Sequence, residues 1–205
     1  MNIYTSLNLI NYAVVLFFGI TTSLCLADIP FRKHQKIYLF SYLGFGIVQI
    51  AFYLFLGENM LYKCYPMLIH LPLIILIRFI LHKSLSVSMI AVLSAYLLCT
   101  PRKWFGTLIS SFFSNNAMAF NISAILITIP LLFLVIRYMA PYITKLKQEN
   151  KTTLILFILL PLSYYVLEYM FTVYTDLLYT GGAVITDFMD SFLVFLYFIL
   201  SILTI

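Results

Sequence analysis

Residues Pro161–Gly182 read PLSYYVLEYMFTVYTDLLYTGG, and they are the place where polar groups line up in an otherwise apolar chain. On a helix, positions three and four apart fall on one face. A carboxylate in such an apolar segment costs roughly 2–4 kcal/mol to place in lipid unless it finds a partner or water. We therefore expect this polar face to contact protein or a wet cavity, with the other helices packed around it. Its members are Tyr165, Glu168, Tyr169, Thr172, Thr175, Asp176 and Tyr179.

Two interpretations of the polar face are open. The tyrosines and acids are either a packing surface that holds helices together, or a face that senses a ligand and carries a signal. The opposite face of the same helix is apolar and suits lipid or packing contacts. It carries Leu162, Val166, Leu167, Met170 and Phe171.

The composition of the whole chain is that of an integral membrane protein. Apolar residues make up 63% of the 205 residues and charged residues 9%, whereas soluble domains carry about 25% charged residues. The net charge of +5 is interpreted as a topology signal and not as affinity for nucleic acid. No polar interruption is long enough for a soluble domain, so we expect one transmembrane domain over residues 1–205, surrounded by the lipid bilayer.

Apolar segments separated by polar turns predict an all-α, polytopic transmembrane bundle of about seven spans. A short helix lying in the membrane interface is predicted after Pro101, where Arg102, Lys103 and Trp104 lead apolar pairs at steps of four. Pro72 and the proline at 130 predict kinks in their spans. The spans are predicted over 7–27, 37–56, 65–81, 85–100, 119–139, 153–178 and 184–205.

The basic residues predict the orientation of the spans, because they collect on the cytoplasmic side. Nine of the twelve fall in three turns at one end, and three (Lys63, Arg102 and Lys103) fall at the other. This distribution favours an outside amino terminus and a cytoplasmic carboxyl terminus. The last span has no basic flank, so we expect a missing cytoplasmic part. The nine are Arg32, Lys33, Lys36, Arg78, Lys83, Arg137, Lys145, Lys147 and Lys151.

Motifs for catalysis and metal binding are absent from the sequence. There is no GxxxxGK[ST] phosphate loop, no HExxH and no GxSxG. Histidines and cysteines do not cluster at ligand spacing, so we predict no metal site, no cofactor and no enzyme activity. A disulfide between Cys64 and Cys99 is conceivable, with buried free thiols as the alternative.

Three further ionisable residues have two interpretations each. Asp187 and Asp190 stand three apart and could do acid–base chemistry, or they could be acids favoured by the dipole of a helix start. His70 lies between the two prolines of the third span, Pro66 and Pro72. It is either a hydrogen-bonded packing residue or a ligand contact beside the predicted kink.

The run YYVLEYMFTVYTDLLYTG from Tyr164 to Gly181 resembles the end of the membrane region of bacterial sensor histidine kinases with a GHKL-type ATPase domain. The turn Pro101–Trp104 and the helix end Arg137–Pro141 are also similar to that family, and the resemblance extends from about His70 onward. The layout is similar to peptide-pheromone receptor kinases of the accessory-gene-regulator type. No phosphoacceptor-histidine helix and no asparagine or glycine box of an ATPase occurs in this sequence, so the resemblance does not bring kinase activity with it.

The resemblance implies the input module of a two-component sensor in the bacterial plasma membrane. We expect a peptide or small molecule to bind the outer half of the bundle near Glu168, Tyr169, Asp176 and Tyr179, with His70, Arg102 and Lys103 as secondary candidates. The signal would pass through the last helices to a histidine kinase core that this chain does not contain, and a second copy is an expected partner.

Two other classes of protein were weighed against the sensor. A small-molecule transport subunit, like the S-component of an energy-coupling transporter, has similar length and hydropathy. Such subunits dock through small residues at steps of four in their first helix, whereas the first span here carries bulky residues over Val14–Phe18. An intramembrane enzyme is disfavoured because no catalytic pair is visible.

Overall fold

The computed structural model describes residues 3–145, 151–170, 190–191 and 193–199, and every secondary-structure element within these ranges is helical. The predicted all-α class is confirmed for this part of the chain. Short π-helical turns join some of the helices, at Pro66–His70, Leu76–Ile80 and Val135–Met139. The α-helices are α1 (Ile3–Leu26), α2 (Gln35–Tyr65), α3 (Leu71–Ile75), α4 (Leu85–Cys99), α5 (Pro101–Ser111), α6 (Ala117–Leu134), α7 (Ala140–Lys145) and α8 (Lys151–Glu168).

The described residues include four helical stretches long and apolar enough to cross a membrane, namely Thr5–Leu26, Gln35–Ile80, Leu85–Ser111 and Ala117–Lys145. A shorter apolar helix covers Thr152–Glu168. The outer faces of these helices expose large apolar side chains, among them Phe40, Phe55 and Ile129. Contiguous apolar surface of this kind suits lipid contact, because water would disfavour it. The prediction of a multi-span membrane protein is supported at this level.

Helix α2 is two helical arms that meet at Gly57. This glycine has φ 81° and ψ 172°, a conformation that other residues rarely adopt. The hydroxyl of Tyr65 donates to Gln49 Oε1 at 3.2 Å. A straight helix would separate these two residues by about 24 Å. The chain therefore folds back at Gly57, between the predicted spans 37–56 and 65–81, and the two arms lie side by side.

Helix α5 continues α4 and is not a separate interfacial helix as we predicted. Thr100, the one residue between them, has helical angles of φ −60° and ψ −40°. Arg102 is only 4% exposed, and α5 packs against α6, where Gly106 lies against the ring of Phe120. The prediction of an interfacial helix was wrong because it assumed that the cations lie at the membrane surface. Arg102 and Lys103 instead both have partners inside the bundle.

The predicted kink sites keep helical backbone. Helix α6 runs through Pro130 and α8 runs through Pro161. π-helical turns lie close to two of the prolines: one precedes and one follows α3, which contains Pro72, and a third follows α6. Such turns are common next to functional sites, since they shift the side chains that follow them around the helix.

The core is built around α1 and α4. Helix α4 packs against α1 and α8, and α1 also packs against α2 and α6. Phe18, Ile20 and Leu24 of α1 are fully buried, as are Ala91 and Leu97 of α4. These two helices therefore supply much of the buried core, while α1 also exposes Ile10 and Phe17 on its outer face. The ends of α1 and α4 that lie near α5 and α6 border the site described next.

A polar cavity as candidate functional site

A cavity of about 650 Å³ lies inside the bundle. Residues of α1, the second arm of α2, the π-helical turn after it, α3, α4, α5, α6 and α8 form its wall, with Asp190 added from the last described helix. The wall combines apolar side chains with a large set of polar ones. The charged or amide residues that border the cavity are Asn8, Asn11, Glu58, Arg102, Lys103, Asn115, Asn121, Glu168 and Asp190.

Glu168 of the polar face forms an ion pair with Lys103 across the cavity wall. The carboxylate side chain is 3% exposed and the lysine side chain 45% exposed. The pair joins α5 to α8, so a charge that lipid would disfavour is compensated by protein. Both residues stood among the predicted site residues, although the sequence did not predict that they would meet.

Tyr165 and His70 also come together, from α8 and from the π-helical turn before α3. His70 Nδ1 and the Tyr165 hydroxyl are 2.8 Å apart. The ring of Tyr96 lies 4.7 Å from Tyr165 and 5.1 Å from His70, both in edge-to-face arrangements. Tyr169 stacks on Tyr165 with ring centres 4.8 Å apart. Edge-to-face and offset contacts are the favoured geometries of aromatic pairs, and this cluster fixes the end of α8.

The exposure of α8 follows the predicted division into two faces, with one shift. Val166 and Met170 of the apolar face are 45% and 54% exposed, whereas Glu168 is buried. The deepest tyrosine, however, is Tyr164, which is 1% exposed. Its hydroxyl is hydrogen-bonded to Thr100 Oγ1 at 2.7 Å. The buried face of α8 therefore includes Tyr164, which the prediction did not include, because Thr100 at the junction of α4 and α5 provides its hydroxyl with a hydrogen-bond partner.

A second group of polar residues forms a chain of hydrogen bonds across the cavity wall. Arg102 donates to Asn11, Asn11 donates to Asn121 at 2.7 Å, and Asn121 donates to Asn8 at 2.7 Å. The chain ends at Glu58, whose Oε2 accepts from Asn8 at 3.5 Å. It connects α5, α1 and α6 with the residue after the Gly57 turn. We call these residues the asparagine chain.

The asparagine chain and the tyrosines that other helices contribute to the site were not predicted from the sequence. Asn8 and Asn11 stand three apart and are the two amides of the first span, and Asn121 is the one amide of the fifth. Buried polar residues in a membrane span are unusual, so their rarity was the available signal. Tyr96 had no such signal, because tyrosine is common throughout this chain.

The remaining predicted residues divide into those the structure describes and those it does not. Thr172, Thr175, Asp176 and Tyr179 lie outside the described residues, as does Asp187. Cys25, Cys64 and Cys99 are free thiols, and Cys99 borders the cavity. Within the described ranges no group of three histidine, cysteine or acidic residues could hold a metal ion.

Comparisons with known protein families, with curated proteins and with solved structures found no match to this chain. Opposite charges, amides and aromatic rings converge on one cavity, which is an arrangement suited to recognising a polar molecule with an apolar body.

Proposed function

We propose that the protein is a membrane-embedded sensor module that binds a peptide or small molecule in the polar cavity. The observation that carries the proposal is the burial of charged groups around one cavity of about 650 Å³ inside an apolar bundle. Ionisable groups within membrane spans are costly and mark ligand or ion sites. Pockets that combine apolar walls with a few convergent polar groups are the usual form of a binding site.

The signal would leave the cavity through α8. Glu168 ends α8 and is paired with Lys103 of α5, so a ligand that competes for either charge changes how α8 is held. The residues after α8 carry the VYTDLLY stretch that resembles sensor histidine kinases. A ligand shifts such a packing equilibrium only by its different affinity for the two states. The expected partners are a histidine kinase core and a second copy of the chain.

The proposed topology has seven spans with the amino terminus outside. The fold-back at Gly57 supports two spans within Gln35–Ile80. Lys83 Nζ donates to the Asp28 carbonyl at 3.3 Å, so the turn before α4 lies at the same end as the turn after α1. Both turns are rich in basic residues, which favours the cytoplasm for that end.

A kinase fusion tests the proposed function. The chain is fused to a GHKL-type kinase core, and autophosphorylation is measured in proteoliposomes for the wild type and for Glu168→Gln. We expect a change of about fivefold or more in basal autophosphorylation, because an altered balance of about 1 kcal/mol shifts a two-state equilibrium by that factor. In Glu168→Gln this change in free energy comes from the loss of the ion pair between Glu168 and Lys103.

Asp28→Asn is the matched control for this experiment. It removes one negative charge at an exposed turn outside the cavity wall, and asparagine tolerates the positive φ of 60° found there. We expect this variant to behave as the wild type. Equal autophosphorylation in the wild type, Glu168→Gln and Asp28→Asn would remove Glu168 from signalling and the sensor function with it.

A transport subunit is the second candidate, and one observation favours it. The cavity wall includes residues of an interrupted helical stretch, with Glu58 beside the Gly57 break, Ile69 and His70 in the π-helical turn and Leu73 in α3 just after it. Transporter binding sites are commonly formed by discontinuous helices. The same proteoliposomes distinguish the two functions, because a transporter releases a bound radiolabelled solute into the lumen and a sensor does not.

A further inference from the structure

Arg102 is a buried cation whose donors are incompletely used within the described part of the chain. It is 4% exposed and borders the cavity. One guanidinium nitrogen donates to Asn11, and the buried Nε has no hydrogen-bond partner among the described residues. The ion pair found within these ranges joins Lys103 to Glu168 and does not include Arg102.

A continuous path of hydrogen bonds leads from Arg102 to the carboxylate of Glu58 through the asparagine chain. Three amides separate the guanidinium from Glu58, which is exposed at the rim of the cavity. Amides spread the charge of a buried cation but do not neutralise it. A buried charge without a counter-ion is strongly unfavourable, and removing it from water is compensated only by an oppositely charged partner.

We propose that the cavity binds an organic anion whose carboxylate or phosphate group sits on Arg102. The proposal rests on the proposed function and names the class of its ligand. The planar guanidinium presents a fork of N–H donors that matches two oxygens of such a group. Lys103 pairs with Glu168, whereas Arg102 has no ion pair within the described residues, so its unused N–H donor is open to an oxygen of the ligand.

The other residues of the cavity wall are mostly apolar or aromatic, which favours an anion with an apolar and partly aromatic remainder. Tyr65, Tyr96 and Phe120 border the cavity together with Ile69, Leu73 and Val92. Aromatic rings pack favourably against other rings and aliphatic groups. The ligand is therefore amphipathic, with one oxyanion head on Arg102 and an apolar part between α3, α4 and α6.

The test uses three probes that differ in one group: benzoate, phenyl phosphate and the neutral benzamide. Binding is measured by isothermal titration calorimetry and by thermal unfolding, on the full chain in phosphatidylcholine nanodiscs at constant ionic strength. We expect benzoate or phenyl phosphate to bind and to raise the unfolding temperature, and benzamide to have no effect. If benzoate binds more tightly than phenyl phosphate, the preferred head group is a carboxylate; if phenyl phosphate binds more tightly, it is a phosphate.

Three variants locate the anion. We expect Arg102→Gln to weaken binding by about tenfold or more, because a charge-assisted bidentate contact is lost. Arg102→Lys keeps the charge without the fork and should bind with intermediate affinity. Arg137→Gln removes the same charge from an exposed residue that does not border the cavity, and should bind as the wild type does.

Equal binding of benzoate and benzamide to the wild type would overturn the proposal, as would unchanged affinity in Arg102→Gln or no binding of either anion. The wild-type comparison and Arg102→Lys remain decisive if Arg102→Gln does not fold. The kinase fusion reports separately on the proposed function. Charge-independent binding together with a signalling effect of Glu168→Gln would remove the anion site and leave the sensor.

Discussion

Gly106 is the residue on which the close approach of α5 and α6 depends. A Cβ atom added there would lie 2.8 Å from two carbons of the Phe120 ring. Real side chains do not approach so closely, so either the ring or the helix would have to move. Such overpacking costs about 1–3 kcal/mol.

We therefore predict that Gly106→Ala lowers the free energy of unfolding by about 1–3 kcal/mol, measured by denaturation in detergent micelles. Gly44→Ala is the control, because no atom lies within 4 Å of a Cβ at that position. The double variant with Phe120→Leu should recover much of the loss. A Gly106→Ala variant as stable as Gly44→Ala would show that the two helices are not in contact at this point.

Individual residues of the site were predictable where their chemistry conflicts with lipid. Glu168 required a partner, and the structure provides Lys103. The identity of that partner depends on how α5 and α8 pack, which no local pattern specifies. Asn8 and Asn121 are also unfavourable in lipid, but less so, since burying an amide costs less free energy than burying a carboxylate. They are 113 positions apart in the sequence, so their hydrogen bond depends on the tertiary fold.

At the scale of elements, Gly57 determines the path of the chain through Gln35–Ile80. Its φ of 81° and ψ of 172° lie in a region that essentially only glycine populates. The fold-back brings Gln49 to Tyr65 and sets Glu58 beside Tyr12, whose hydroxyl donates to the carboxylate at 3.1 Å. One backbone conformation thus positions both the second arm of α2 and an end of the asparagine chain.

Gly57→Ala is predicted to destabilise the protein by about 1–3 kcal/mol, because a Cβ strains this backbone conformation. The free energy of unfolding is compared with that of Gly44→Ala, where φ is not in the positive region. A steric clash would not explain the loss of stability, since no atom lies within 4 Å of a Cβ placed at Gly57. A stability equal to that of Gly44→Ala would contradict a turn at this residue.

Apolar runs and turn residues predicted most helices and the break at Gly57, because both are local properties. The continuity of α4 and α5 was not predicted. Two cations and a tryptophan after Pro101 are typical of a membrane surface, and the sequence could not indicate that Asn11 and Glu168 would receive the cations inside the bundle. Partners distant in sequence therefore decided the structure of this segment.

The whole molecule has an apolar outside and a partly polar inside, as a lipid solvent demands. Large apolar side chains such as Phe55 and Ile129 are exposed, whereas Arg102 and Glu168 are among the buried residues. The polar face at the end of α8 borders the cavity, so we expect water on that side and lipid on the opposite face. Tyr169 borders the cavity, and Val166 is 45% exposed on the other side.

Thiol accessibility at Val166 of α8 and at Tyr169, one residue after its end, tests this arrangement. Tyr169→Cys and Val166→Cys are each made in a chain whose three cysteines are replaced by serine, and a charged, membrane-impermeant methanethiosulfonate is added to proteoliposomes. A thiol reacts as its thiolate, which forms in water and not in lipid. The account predicts rapid labelling at position 169 and little at 166. Equal rates at both positions, or faster labelling at 166, would contradict it.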